Sequence, residues 1–242
     1  MTVIDGKFSW NGAKLRTRGL YSRAGLAQQI WVENEHGAIL VDCGDGCLRD
    51  IISNSLKLEK LMAILFTHGH FDHVGGLHSL LGFLRMIGRE KPLKIVSPEN
   101  CHEVDAIVKS FLSVYAESMP FKIEQIHLKH NDKLDIDEIN VAASEMVHAG
   151  SLSSGVILDR IPALGYSLSY NDERIAISGD TGMCDNLQKL VIDADLAIIE
   201  ATFKDSSQVS SESLKRVHLA EDLAHELGTL AKDYILIHKG RR

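Results

Sequence analysis

The run THGHFDHVGG, from Thr67 to Gly76, constrains the fold more than any other stretch of the sequence. It holds three histidines and one aspartate within six residues, follows the apolar residues 62–66, and ends in two glycines. This order predicts a strand, a turn and a helix. Imidazole and carboxylate are preferred ligands of zinc and similar divalent ions, so the run predicts a metal site rather than a solvated loop. Because four such side chains cannot share one ion without strain, their spacing indicates two ions close together.

Short apolar runs alternate with longer helical stretches along the rest of the chain. The predicted strands are residues 29–33, 38–42, 62–67, 93–97, 123–127, 140–148, 165–170, 174–178, 196–200 and 234–238. The predicted helices are residues 47–56, 75–89, 100–117, 186–191 and 218–232, with polar residues near 98–100 and 185–186 available as caps. This alternation predicts an α/β layered structure. We expect a single domain over residues 1–242, with lobes of roughly 1–150 and 150–242 that both contribute to the site.

The composition limits the partners of the chain. Its net charge is −7, and the one evident basic cluster is the terminal KGRR, which argues against extended nucleic-acid binding. Its apolar runs are too short to cross a bilayer, and its first residues do not resemble a signal peptide. The sequence therefore predicts a cytoplasmic protein without membrane contact. Its four cysteines contain no CxxC pair, so free thiols are expected.

Three further candidate ligands follow downstream. His148, Asp180 and His238 are each expected at the carboxyl end of a predicted strand. Strands of one sheet that point the same way end at one rim, where α/β sheets build their sites. A single histidine at a strand end is more often structural than a ligand. The order of these residues after the histidine-rich run favours a ligand role.

The histidine-rich run resembles the HxHxDH signature of the metallo-β-lactamase superfamily, and the closest likeness is to its ribonuclease Z-like, phosphodiesterase branch. The likeness runs in order from about residue 38 to the C-terminus. The matching segments are DCGDGCLR at 42–49, PALGY at 162–166, IEATF at 199–203, VHLA at 217–220 and LIHKGRR at 236–242. One departure lies in the third segment, where Ile199 stands in place of the family's histidine.

The resemblance implies an αββα sandwich, in which two central mixed sheets are flanked by helices, and a site for two divalent metal ions. Zinc is the expected metal, with manganese or iron as alternatives. The implied ligands are His68, His70 and His148 for one ion, Asp72, His73 and His238 for the other, and Asp180 between both. Asp42 is expected to brace the ligand loop, and the glycines at 44 and 46 to serve the turn.

The implied reaction is phosphodiester hydrolysis by a hydroxide that bridges the two ions. His218 is the candidate proton donor to the leaving oxygen, Glu200 is expected to hold its other ring nitrogen, and Asp72 is counted with both as catalytic. A solvent-facing residue at a helix start is the alternative for His218. Arg241 or Arg242 is a candidate phosphate contact, although an untethered tail is equally compatible with the sequence.

Ribonuclease Z enzymes carry a tRNA-gripping arm at a point where this chain is short. Between Tyr166 and Asp180 there is room for two strands and a tight turn at Asn171, but not for an arm. Together with the acidic charge, this makes extended tRNA binding doubtful and favours a small phosphodiester or a short nucleic acid as substrate. Alternatives are tRNA 3′ processing without the arm, a carbon-centred hydrolase of lactonase, thioesterase or β-lactamase type, and a non-catalytic member of the fold. Relatives are often dimers, so a homodimer is also an expectation.

Overall fold

The computed structural model describes residues 7–152 and 154–240, which form two packed β-sheets with helices outside them. The first sheet has seven strands in sequence order. They are β1 (Phe8–Asn11), β2 (Arg16–Arg23), β3 (Ala27–Glu33), β4 (Ala38–Val41), β5 (Leu61–Leu65), β6 (Leu93–Pro98) and β7 (Ile123–Leu128). Strands β1 to β4 pair antiparallel and β4 to β7 pair parallel, so the sheet is mixed.

The remaining strands form a second mixed sheet and a separate two-stranded hairpin. They are β8 (Lys133–Ile136), β9 (Ile139–Glu145), β10 (His148–Ser151), β11 (Ile157–Ile161), β12 (Leu164–Tyr170), β13 (Glu173–Ile177), β14 (Leu196–Glu200) and β15 (Tyr234–Ile237). The second sheet has the order β15-β14-β13-β12-β9-β8, in which β13, β14 and β15 are parallel neighbours. The hairpin consists of β10 and β11. The chain passes from the first sheet to the second between Leu128 and Lys133, earlier than the lobe boundary expected near residue 150.

Seven α-helices are found in the described ranges. They are α1 (Cys47–Ser53), α2 (Phe71–Val74), α3 (Leu77–Met86), α4 (His102–Tyr115), α5 (Asp185–Val191), α6 (Ser211–Arg216) and α7 (Glu221–Gly228). Buried leucines of α3 and valines of α4 pack on one face of the first sheet, whereas α5 and α7 cover the second sheet. The helices therefore form the two outer layers.

The alternation of side chains along each strand produces these layers. In β4, Ile39 and Val41 face the core between the sheets, while Leu40 faces the helices. In β13, Ile175 and Ile177 face that same central core, while Ala176 faces α5 and α7. Both faces of the central strands are thus buried, as expected for sheets covered by helices. The predicted αββα sandwich is confirmed.

Several predicted boundaries were wrong. The strand expected at 140–148 ends at Glu145, and His148 instead begins β10. The helix expected at 75–89 starts later, at Leu77, and is preceded by the separate turn of α2. The helix expected at 218–232 spans only Glu221–Gly228, so His218 lies in the loop before it. The expected polar caps are also absent from α4 and α5, whose N-cap residues are cysteines without a side-chain cap bond.

Other expectations agree with the structure. Strands β12 and β13 are joined by a two-residue turn at Asn171 and Asp172, and Asn171 takes the positive φ of 54° that such turns require. No disulfide links the four cysteines, three of which are buried. Within the described residues, no helix is long and apolar enough to cross a membrane.

Candidate metal centre

The first half of the centre follows strand β5. Because β4 and β5 are parallel, Asp42 and Thr67 leave the sheet at the same edge. His68 and His70 lie in the short loop after this edge, and α2 then carries Asp72 on its first turn. The strand–turn–helix order predicted from the sequence therefore places the histidine-rich run at one rim of the first sheet.

The second half comes from the other sheet. Asp180 follows β13, Glu200 is the last residue of β14 and His238 follows β15, and these three strands are parallel neighbours. Their carboxyl ends therefore meet at one rim, as predicted. His148 reaches the same place from the start of β10, where its Nδ1 is 2.8 Å from the backbone oxygen of Val217.

The three residues expected to hold one ion are close together. The possible ligand atoms of His68, His70 and His148 all lie within 4.8 Å of one another. The distance from His148 Nε2 to His70 Nδ1 is 3.1 Å. These are nitrogens that a single ion could draw together.

The three residues expected to hold the other ion form a second group, whose possible ligand atoms are also close together. Possible ligand atoms of Asp72, His73 and His238 lie within 4.8 Å of one another. Asp72 Oδ2 is 3.3 Å from His238 Nε2 and 4.0 Å from His73 Nε2. Asp72 also accepts a hydrogen bond from the backbone N–H of Gly25, at 2.8 Å.

Asp180 lies between the two groups. Its Oδ2 is 3.8 Å from His68 Nε2, 3.9 Å from His148 Nε2 and 3.4 Å from His73 Nε2. Its Oδ1 is 3.4 Å from His238 Nδ1. One carboxylate therefore contacts histidines of both groups, which is the position required of a bridging ligand.

The sequence matches a family of known proteins. A family model described as a beta-lactamase superfamily domain matches residues 38–238. The chain belongs to this superfamily. The resemblance predicted from the HxHxDH run is therefore confirmed, and with it membership in a family of hydrolases.

Individual relatives give the same result. Ribonuclease Z of Staphylococcus carnosus (strain TM300) is 29% identical over 241 residues, covering 84% of this chain and 78% of that protein. The human tRNase Z short form superposes with a TM-score of 0.75 at 23% identity, covering 93% of each chain. A structure described as a new diphosphatase from the PhnP family gives a TM-score of 0.64 at 16% identity, covering 89% of this chain and 74% of that one. The two solved structures share the superfamily fold with this chain.

The buried nitrogens of the superfamily site fit a bound cation. His68 Nε2 and His73 Nε2 are buried and have no hydrogen-bond partner within the described residues. A buried polar atom without a partner costs free energy, unless a ligand supplies the missing contact. Imidazole nitrogens and carboxylate oxygens suit zinc, manganese and iron. The donor set is therefore compatible with divalent metal ions.

The pKa values of the first group favour the neutral imidazole that binds metal. Burial holds the pKa of His68 well below its usual value, and the neighbouring His73 and His148 act in the same direction. Burial also lowers the pKa of His148 to about 3, against the opposing charge of Asp180. Burial lowers the pKa of His70 as well.

The carboxylates of the centre are held in their ionised form. Burial acts to raise the pKa of Asp180, but the charges of His238 and His73 hold it well below its usual value. The pKa of Asp72 is about 2, because the hydrogen bond from His238 and the charge of His73 outweigh burial. A cation that enters this anionic pair would displace protons from the histidines beside it.

Asp42 braces the ligand loop, as the sequence predicts. Its carboxylate is 2.8 Å from His73 Nδ1 and accepts hydrogen bonds from the backbone N–H and the hydroxyl of Thr67. The turn that follows needs glycine, because a Cβ at Gly44 would lie 2.2 Å from the backbone oxygen of Asp72. The histidine-rich loop and the turn at Gly44 therefore pack tightly against each other beside the centre.

Glu200 and His218 form a hydrogen-bonded pair beside the centre. His218 Nδ1 lies 2.9 Å from Glu200 Oε1 and 3.8 Å from Asp180 Oδ2. The buried Glu200 carboxylate also accepts backbone N–H bonds from Thr181, Leu219 and Thr202. Burial acts to lower the pKa of His218, but the charge and hydrogen bond of Glu200 raise it to about 9. Its side chain is only 16% exposed, which rules out the solvent-facing alternative.

The predicted site residues thus converge, apart from two that lie outside the described residues, Arg241 and Arg242. Thr67 was missed by the sequence analysis. Its hydroxyl contacts Asp42, His68 Nδ1 and His73 Nδ1, and its position directly before the histidines was the available signal. The β10–β11 hairpin beside His70 was also missed.

Proposed function

We propose that this protein is a metal-dependent phosphodiesterase of the ribonuclease Z-like branch, with two divalent ions held by the seven residues identified above. The observation that carries the proposal is the position of Asp180, whose carboxylate contacts histidines of both ligand groups. When bound, the two ions would supply an activated water nucleophile at neutral pH and neutralise charge on the phosphoryl oxygens. Zinc is the proposed metal, with manganese or iron as alternatives.

The chain's own residues prepare the ligands. Asp42 accepts the proton of His73 Nδ1, which leaves the lone pair of Nε2 directed at the centre. The backbone carbonyl of Val217 accepts the proton of His148 Nδ1 in the same way, which leaves the lone pair of His148 Nε2 for the centre. Each contact fixes a tautomer and the orientation of a ring. The ligands are therefore preorganised by partners outside the centre.

His218 is the proposed donor of a proton to the leaving oxygen. Its Nδ1 is bonded to Glu200, so Nε2 is the nitrogen left to transfer a proton. Glu200 stabilises the charged imidazolium and fixes the ring, because its own position is held by three backbone N–H groups. A phosphodiester leaves an alkoxide that needs such a donor, so the pair is suited to the proposed reaction.

The first experiment is a substrate panel in the presence of zinc or manganese. It contains bis-p-nitrophenyl phosphate, a lactone, a thioester and precursor tRNA. We expect turnover of the phosphodiester. Turnover of the lactone or thioester without phosphodiester cleavage would refute the proposal. Cleavage of precursor tRNA would instead support tRNA 3′ processing, the second candidate, which the Ribonuclease Z relatives favour.

The second experiment tests the role of His218. A ring nitrogen of His218 also belongs to a group, with Asp180 and His238, that could itself hold a metal ion. We expect His218→Ala to keep its metal content and to lose turnover of a diester with an alkoxide leaving group by about 10²–10⁴-fold, the usual contribution of a positioned proton donor. Turnover of bis-p-nitrophenyl phosphate should fall much less, because p-nitrophenolate leaves without a proton. Loss of metal from this variant, measured by elemental analysis, would make His218 a ligand instead.

A further inference from the structure

We propose that the β10–β11 hairpin is a specificity element, in which Leu158 contacts an apolar or aromatic ester group that stays on the phosphorus. This inference rests on the proposed function and deepens it by naming the substrate class. The hairpin emerges directly from the site, because its first residue is His148. It pairs with neither large sheet, because β10 and β11 form a β-ladder only with each other.

The turn of the hairpin carries three exposed apolar side chains. Leu152, Val156 and Leu158 are 53%, 53% and 44% exposed, although large apolar side chains are usually buried. No charged residue occurs from 151 to 158. These apolar side chains suit an uncharged group on a small diester.

Leu158 lies on the same side of the hairpin as the candidate ligand His70. A Cβ placed on Gly150 would lie 3.3 Å from both His70 Nε2 and Leu158 Cδ1. The imidazole and the leucine side chain therefore flank the same point above the bare backbone of Gly150. A group bound at the centre beside His70 is within reach of Leu158.

Two arginines hold the base of the hairpin in this position. Arg160 Nη2 donates to the backbone oxygen of Met146 and to Glu145 Oε1, both at 2.9 Å. Arg216 Nη2 donates to the backbone oxygen of Leu158 at 3.3 Å. The apolar side chains are thus presented on an anchored support, which is what a specificity element requires.

The positions of His70 and His218 relate the hairpin to one ester group. The His148 ring lies among three imidazoles, 4.7 Å from that of His68, 4.9 Å from that of His70 and 5.1 Å from that of His218. His218 serves the leaving oxygen in the proposed function. Leu158 lies beside His70, so we assign it to the ester group that His218 does not serve.

The test compares two diesters with the same leaving group: bis-p-nitrophenyl phosphate, which retains an aromatic group, and methyl p-nitrophenyl phosphate, which retains a methyl group. We expect Leu158→Ser to lower kcat/KM for the first by about tenfold, mainly through KM, and for the second by less than about twofold. Leu158→Met should keep the wild-type ratio. The control Val114→Ser removes a 71% exposed side chain from α4 and should change neither value.

A binding measurement supplies a second readout. By calorimetry, the wild type should bind phenylphosphonate more tightly than methylphosphonate, and Leu158→Ser should lose that preference. Equal losses on both diesters, or no change, would refute the inference while leaving the phosphodiesterase proposal intact. An altered gel-filtration volume for Leu158→Ser would also refute it, because the hairpin would then be a contact between copies. Failure of the wild type to cleave either diester would instead refute the proposed function.

Discussion

Replacing Asp42 by asparagine is expected to weaken metal binding without removing any ligand. Asp42 is buried, with Oδ2 2.8 Å from His73 Nδ1 and Oδ1 2.8 Å from the backbone N–H of Thr67. Both partners are donors in the arrangement that directs His73 Nε2 at the centre. The side chain at 42 must therefore accept two hydrogen bonds on opposite oxygens, which a carboxylate can do and an amide cannot.

In Asp42→Asn the amide nitrogen must face one of these two donors, so one of the two hydrogen bonds is lost. If the amide nitrogen faces His73, the imidazole proton moves to Nε2, which can then no longer bind metal. If the amide is flipped, its nitrogen faces the N–H of Thr67 and leaves a buried donor without a partner, at about 1–3 kcal/mol. Loss of such a partner usually costs about 10–100-fold in metal affinity. This corresponds to about 1.4–2.7 kcal/mol of binding free energy.

The assay is competition with a chelator of known zinc affinity, followed by elemental analysis. The matched control is Asp45→Asn, which removes the same charge from an exposed position in the same turn. Its zinc affinity should equal that of the wild type. An unchanged affinity in Asp42→Asn, or an equal loss in both variants, would refute the argument that Asp42 sets the tautomer of His73.

Three further outcomes are expected. Zinc at 100 times its Kd should raise the melting temperature of the chelator-treated protein by about 5–10 °C for each site that it fills, as measured by scanning calorimetry. Absence of a shift would contradict metal binding to the folded state. Glu173→Ala should lower the free energy of unfolding by about 1–2 kcal/mol in urea titrations, because the Glu173 carboxylate accepts hydrogen bonds from the backbone N–H groups of residues 13–15. The control Asp172→Ala, at an exposed position, should leave the free energy of unfolding unchanged. A thiol reagent at pH 8 should label only the partly exposed Cys184 in the native protein, because the other three cysteines are buried. Burial also raises the pKa of Cys101 to about 12. Rapid labelling of more than one thiol would contradict this prediction.

The sequence predicted the alternating layers and the candidate ligand residues that converge in the structure, because each depends on a local pattern. Strands such as β4 and β14 are short apolar runs bounded by polar residues, and both were located within a residue or two. The ligand run was evident because few other functions place three histidines and an aspartate so close together. Asp180 and His238 followed from their positions at strand ends.

What the sequence could not predict depends on contacts far apart in the chain. Strand β2 was missed because Thr17, Gly19 and Ser22 occupy buried positions, so its buried residues do not form an apolar pattern. The position of His148 was wrong because β9 and β10 are separated by only two residues, which continue the apolar pattern. The β10–β11 hairpin was missed for another reason, since it lies outside the core and carries no regular alternation.

The chemistry and the specificity of this site therefore rest on residues of different kinds. The proposed ligands are histidines and carboxylates, residue types that few apolar or neutral side chains could replace, so the sequence points to them. A contact to an uncharged ester group can be made by any apolar side chain, so nothing in the sequence distinguishes Leu158 from a leucine of the core. Only its 44% exposure and its position next to His70 do so. It follows that Leu158 variants should change which diester is cleaved, whereas variants of the ligands should abolish cleavage of every diester.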